Sequence, residues 1–530
     1  MDGSVRGSRN PNLAASMKRT LPLSPLALAL FVSALPLRAA EPKPVVWYLR
    51  TANEQYLPRY GDTVLLQFST SEGGKYIEGG VLDYNTYLTE WGGTGPCSLG
   101  MRGVTFFNKG TFTDSVGLII GTPDGVFHNS GTFIKEGPAE RTLFEWGSNV
   151  VNTGTFEART GRIDFAHVGA SYTFNDGSRF VGAGLVRVLD GYTTFSGNFY
   201  SENLQLVGAT NSFRGTNAVG SGTWGWLGST LTGTWGNTGT LTIVGAGGQR
   251  LDYGAQLTNA VGATIRHESS GLGFAGDARL VNHGTFTSAT DNSFGRSGGS
   301  GGQPSFANDG LFEKTGGTGQ TRFDAVRLDN LAGGTVRIRS GQLYTNTAMT
   351  NAGTLDVGGG TSFRTDAAFT NTGSIVGTGT IYAQSLVNEG TIAPGYSPGT
   401  LTVDGNVILG SDSILNLEFG GPGGSDQFIV TGEGSNGNLQ LGGTLNILSA
   451  AGYTPTLGDS WQLFRADSLT GSFDHTYFTG FGSGVTFGLS QDSGGFFATV
   501  TAIPEPSTYA AIFGGLTLAL VAWRRWRAQR

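Results

Sequence analysis

Five histidines, His128, His167, His267, His283 and His475, are the side chains of this sequence that could move a proton near neutral pH. They are scattered, and none has the spacing of a metal-ligand set. No nucleophile elbow, phosphate-binding loop or Cys/His pair accompanies them, and the one cysteine, Cys97, reads as a packed apolar residue. No cofactor and no metal is expected. The stretch from Gly421 to Phe428 loosely matches a calcium-binding nonapeptide, but it occurs once and carries Pro422 in a glycine place. It reads as a turn followed by a strand.

One charged constellation stands out. Counted from the asparagines at 129, 152 and 175, Arg141, Asp164 and Arg187 each fall 12 places on. His167 and Asp190 fall 15 places after Asn152 and Asn175. If successive chain segments stack in register, these five residues share a face. Asp164, His167, Arg187 and Asp190 are then catalytic candidates for acid/base chemistry on an acidic sugar. The same residues also form an exposed ladder in which opposite charges alternate between neighbouring strands. The ladder is the adopted reading, and with it a chain that is not an enzyme; a surface-displayed polysaccharide lyase or hydrolase is the alternative.

The elements that would position these residues come from a repeat. Asn-x-Gly-Thr-Phe begins at Asn108, Asn129, Asn152 and Asn282, with looser copies at Asn175, Asn237, Asn259, Asn308, Asn330, Asn351, Asn371 and Asn388. Degenerate copies at Asn198 and Asn217 complete fourteen anchors at a mean spacing of 21.5 residues. A period in the low twenties means a solenoid. Apolar residues stand two places before the anchors (Phe106, Phe127, Val150, Trp235, Leu280) and four places after them (Phe112, Phe133, Phe156, Leu241, Phe286). Between these inward positions, Asn and Gly suit a left-handed corner, so each repeat reads as strand, corner, strand. Stacked coils would align the asparagines into a ladder. The pattern lacks the L-x-x-L-x-L signature of leucine-rich repeats and predicts an all-β, right-handed parallel β-helix of about 14 coils, with a C-terminal β-rich region.

Composition agrees. The chain has 89 glycines in 530 residues, more than twice the usual ~7%, and charged residues make up 14% against ~25% in typical domains. Its apolar residues, with 33 phenylalanines leading the aromatic ones, can still build a core. The net charge of −6, with basic residues gathered at both ends, argues against nucleic-acid binding.

The two ends read as addresses. Lys18 and Arg19 precede an apolar run from Leu21 to Leu35, the pattern of a secretory signal peptide cleaved after Ala34 or Ala40, with Met17 as a possible start. At the other end, Pro504-Glu505-Pro506 precedes an apolar run from Tyr509 to Trp523 and the stop residues Arg524, Arg525 and Arg527. That run predicts a single, short C-terminal transmembrane helix with its arginines cytoplasmic.

This ordered tail resembles the PEP-CTERM protein-sorting signal. The resemblance covers about 30 residues and implies recognition of Pro504, Glu505 and Pro506 by an exosortase, removal of the tail, and delivery to the envelope or cell surface of a Gram-negative bacterium. The repeats, together with the Gly-Thr-Leu segments at 399–401 and 443–445, resemble the stalks and C-terminal parts of autotransporter passenger domains. The expected layout is a signal peptide at 1–40, an N-terminal cap at 41–100, the β-helix at 101–395, an autotransporter-like region at 396–500 and the sorting tail at 501–530. The expected role is a structural or adhesive surface or extracellular-matrix protein, partnered by exosortase, secretion machinery and exopolysaccharide.

Overall fold

The computed structural model describes residues 44–48, 63–67, 75–84, 89–91, 98–503 and 508–530, apart from 116, 209–211, 246, 299–300, 396–397, 421–423, 433–436 and 493–494. The expected signal peptide, Cys97 and the Pro504-Glu505-Pro506 motif lie outside the described residues.

The alternation of apolar and polar residues over four-residue segments dictates strands with one inward face. Three such strands make a coil, and each pairs in parallel with its counterpart one coil on. Val126–Asn129 pairs with Asn149–Asn152, Thr132–Lys135 with Thr155–Ala158, and Arg141–Glu145 with Arg162–Phe165. Three parallel sheets therefore wrap one core, a parallel β-helix as the period requires. The sequence pattern shows two of these strands; the third lies in the stretch between repeats, where no motif marks it.

Every inward position named above is buried to within a few per cent, including Phe127, Phe133, Phe156 and Phe286. Their rings stack between coils, as Phe112 does on Phe133 at 5.1 Å and Phe286 on Phe312 at 5.6 Å.

The corner differs from the expected one. Neither the anchor asparagines of the full motif nor its glycines adopt a positive φ; Asn217 is the exception among the asparagines, at +49°. Glycine is required there for proximity. A Cβ on Gly131 would sit 2.0 Å from the Gly110 carbonyl oxygen, and one on Gly154 would sit 2.1 Å from that of Gly131. Asparagine is required for its side chain: Asn108 Nδ2 donates to Asn129 Oδ1 (2.7 Å) and to the Thr132 carbonyl (3.1 Å) of the next coil.

The ladder runs in two pieces. Asn108, Asn129 and Asn152 form the first. Asn237, Asn259, Asn282, Asn308, Asn330, Asn351, Asn371 and Asn388 form the second, each bonded to the next at 2.6–2.9 Å. Asn175, Asn198 and Asn217 stand outside it: the register sets Phe174 beside Asn152 and Gly220 beside Asn237.

Parallel pairing is not confined to residues 101–395. After a separate parallel pair, Pro44–Tyr48 with Thr63–Gln67, the continuous stack begins with Lys75–Tyr84 against Ser98–Asn108 and continues to Thr444–Ser449 against His475–Thr479. The stack then ends in an antiparallel hairpin, Thr486–Asp492 with Gly495–Ala502, which also pairs antiparallel with Ser460–Ala466. An antiparallel strand on the last coil occupies an edge that would otherwise template further pairing.

A helix forms over Thr508–Ala528. The expectation that it spans a membrane is corrected: among the described residues no helix is long and apolar enough to cross one. The apolar run is interrupted by Gly514, Gly515 and Thr517 and closed by Arg524 and Arg525, so any window of spanning length takes in polar or charged groups.

Candidate functional site

The charged face on the third sheet gathers part of the constellation that spacing suggested. Asp164 and Arg187 are register partners. Arg187 Nε and Nη2 reach the two Asp164 oxygens at 2.8 and 2.9 Å, a bidentate fork. Arg141 is the partner of Arg162, two residues short of Asp164, and its Nη1 approaches Asp164 at 3.7 Å. Arg162, which spacing alone did not single out, donates to Asp164 at 3.0 Å and to Glu140. Its signal was local, since a residue two places away on a strand shares a face.

Asp164 is fully buried beneath this roof of three guanidiniums. A carboxylate so saturated is a structural anion holding three coils together. His167 and Asp190 do not join the cluster. They lie in the turns beyond the paired strands, where His167 Nδ1 accepts the Gly169 amide (3.1 Å) and Asp190 Oδ1 accepts the Gly191 amide (2.8 Å).

Two other histidines are better built. His267 is buried, with Nδ1 against Ser288 Oγ at 3.1 Å and Nε2 against the Ser270 carbonyl at 2.6 Å. Burial lowers its pKa to about 4, so it is neutral at pH 7. His283 lies at a coil corner, with Nδ1 2.6 and 2.8 Å from the Asp309 oxygens. Among the described residues, one histidine thus holds a serine without a carboxylate, and another holds a carboxylate without a serine. In the stretch with the calcium-like spacing, Asp426 accepts the Gly399 and Glu418 amides at 2.8 and 3.0 Å and so ties neighbouring segments together. Among the described residues, no group of three or more His, Cys, Asp or Glu could hold a metal.

No protein-family model matches the chain. An extracellular serine protease of Serratia marcescens is 28% identical over 152 residues, 28% of this chain and 14% of the protease. The chain thus spans about a seventh of the length of that curated relative. The Hap adhesin of Haemophilus influenzae aligns over 83% of this chain and 64% of its own, at 11% identity and a TM-score of 0.22. The β-helix assignment rests on the strand register itself. The expectation of a chain that is not an enzyme is overturned by the protease match, because a segment shared with a hydrolase removes its ground.

Proposed function

We propose that this chain is an extracellular, surface-associated β-helical protein with a structural and adhesive role, addressed by its C-terminal tail. The observation that carries the reading is the parallel stack continuing from Lys75 to Thr479 and stopped by an antiparallel hairpin. Such a stack holds its binding groups at fixed intervals along one axis. The likeness to a protease described as extracellular supports the location. For the address, the support is the order Pro504-Glu505-Pro506, helix, arginines. Antibody labelling of intact cells should detect the coils, and deletion of the chain should reduce cell attachment; absence of surface label would defeat the reading. Mass spectrometry tests the address separately: mature protein should end near Ser507, and Glu505→Ala should retain the tail. Recovery of an intact Arg530 terminus from released wild-type protein would sink the sorting proposal.

The protease match favours a second reading, in which the stack carries or supports peptide hydrolysis. His283 with Asp309 is the histidine–carboxylate pair to probe. Casein cleavage by the purified chain that disappears in Asp309→Asn would support this reading; no cleavage by the wild type would remove it.

A further inference from the structure

The outward rows of the third sheet change character toward its C-terminal end. One row runs Arg322, Tyr344, Arg364, Tyr382, Asp404 in consecutive coils. Its first members are satisfied by each other. The Arg322 guanidinium lies over the Tyr344 ring at 4.1 Å, Tyr344 donates to Asp366 at 2.8 Å, and Arg364 Nε donates to Asp366 at 3.1 Å. The last members are not: among the described residues, the Tyr382 hydroxyl, the Gln384 amide and the Asp404 carboxylate have no hydrogen-bond partner.

Here the sheet is also deformed. Between Tyr382 and Ser385 the register slips against Asp404 and Asn406, leaving Ala383 and Gln384 opposite the single residue Gly405. Such a bulge re-aims side chains and recurs beside binding sites. Position 405 must be glycine, because φ is +141° and a Cβ would lie 1.6 Å from the Ala383 carbonyl oxygen. The bulge opens a groove of about 240 Å³ lined by Arg364, Asp366, Tyr382, Gln384 and Asp404, with Thr365 and Ala383 at its floor.

We propose that this groove binds a glycan, one neutral hexose or N-acetylhexosamine unit at a time. The half-buried Tyr382 ring offers a flat apolar face with a polar tip. Around it, Arg364, Gln384, Asp366 and Asp404 present planar donors and acceptors, the set that fixes ring hydroxyls by paired hydrogen bonds. The lining carries two carboxylates against one guanidinium, which disfavours acidic sugars and leaves neutral ones. The volume is below the ~300–1,000 Å³ of pockets for drug-sized ligands and suits a single small polar unit. The open ends let a longer chain continue across neighbouring coils.

The proposal rests on the surface reading only for the ligand's availability, so it is tested on purified full-length protein. Titration calorimetry with cellotetraose, chitotetraose and tetragalacturonate should show binding of at least one neutral tetrasaccharide and at least tenfold weaker binding of the acidic one. Tyr382→Ala and Gln384→Ala should each weaken the neutral ligand tenfold or more. Position 384 is exposed, so its substitution leaves the coils folded should Tyr382→Ala disturb them. Absence of neutral binding, equal affinity for tetragalacturonate, or unchanged affinity in Gln384→Ala overturns the proposal. None of these results bears on whether the protein reaches the cell surface.

Discussion

The coils from Asn237 to Asn388 and those from Phe174 to Trp226 solve one problem with different chemistry. Both must satisfy polar backbone at corners that face the core, where an unpaired group costs about 1–3 kcal/mol. The C-terminal coils use the asparagine ladder, closed at its start by the Trp224 indole N–H on Asn237 Oδ1 (3.0 Å) and at its end by Asn388 on Ser413 Oγ (2.6 Å). The central coils have no ladder. Two 15-residue strands, Tyr192–Leu206 and Ser212–Trp226, replace corners with bulges. There Ser201 Oγ accepts the Asn203 and Leu204 amides, and Trp235 donates to the Thr232 carbonyl at 2.9 Å. Aromatic bulk fills what the repeat leaves open, with Phe195 5.4 Å from Trp235 and Trp224 stacked on Trp235 at 6.1 Å. The solenoid therefore does not depend on its motif. It depends on the polar backbone groups of its corners, amides and carbonyls alike, finding partners.

The largest expected effect is common to both regions. Phe286 contacts the rings of His267, Phe294, Phe306 and Phe312, so Phe286→Ala should cost about 3–5 kcal/mol, the usual loss for a buried phenylalanine. Because each coil contacts only its neighbours, hydrogen exchange should rise in the coils around 259–330 and stay unchanged near 120. Uniform loss of protection would mean that the two regions unfold as one body.

Asn282→Ala should follow closely. It deletes the Asn282 Nδ2 bonds to Asn308 Oδ1 and the Leu311 carbonyl, and it removes one of the acceptors of Asn259 Nδ2, which keeps the Thr285 carbonyl. Asn308 Oδ1 and the Leu311 carbonyl lose their side-chain donor at about 1–3 kcal/mol per buried group left unpaired, so a loss of about 2–4 kcal/mol is expected by chemical denaturation.

These positions also show what the sequence could reveal. The Asn-x-Gly-Thr-Phe spacing disclosed the coils, the inward Phe and Leu rows and the ladder, because all of them repeat at one register. It misread the corner, since proximity between stacked backbones leaves the same glycine as a left-handed turn does. It placed Asn175, Asn198 and Asn217 in the series because a regular mean spacing hides insertions such as the one before Ser178, and such insertions break the column. The candidate site was legible to the extent that Arg141 and Arg187 meet Asp164, while His167 and Asp190 stay apart. Arg162, and the groove around Tyr382, sit on the third strand, where outward residues vary freely and nothing but alternation marks them.

Acid should separate the regions. His267, on the C-terminal side of the break, is held neutral by burial, with its pKa down to about 4 from an ordinary 6.5. The unfolded chain takes up its proton as pH falls through 6.5, whereas the folded one does so near 4. Stability is therefore complete above pH 6.5 and is lost between 6.5 and 4, by up to about 3 kcal/mol at about 1.4 kcal/mol per pH unit. His267→Gln should flatten that slope in denaturation midpoints measured from pH 7 to pH 4. A slope unchanged by the substitution would assign the acid sensitivity to other groups.

The smallest effect is the one that most sharply tests the comparison. Asn175 belongs to the repeat by spacing, yet its column neighbours are not asparagines, and the Ser178 hydroxyl supplies the corner instead by donating to the Asn152 and Asn175 carbonyls at 3.1 and 2.7 Å. Those bonds use the Asn175 backbone, which alanine keeps. Asn175→Ala should therefore stay within about 0.5 kcal/mol of wild type, as partly exposed sites without a special role do. Ser178→Ala should cost about 1 kcal/mol, the usual worth of a hydrogen bond, because the Asn152 and Asn175 carbonyls lose the hydroxyl and keep only their backbone N–H donors. If the two were reversed, the ladder would extend through the central coils and the division into two corner chemistries would fail. If both were near zero, the aromatic packing around Phe174 and Phe195 would be carrying those coils alone. The expected order, Ser178 above Asn175, is what a fold governed by corner satisfaction rather than by motif requires.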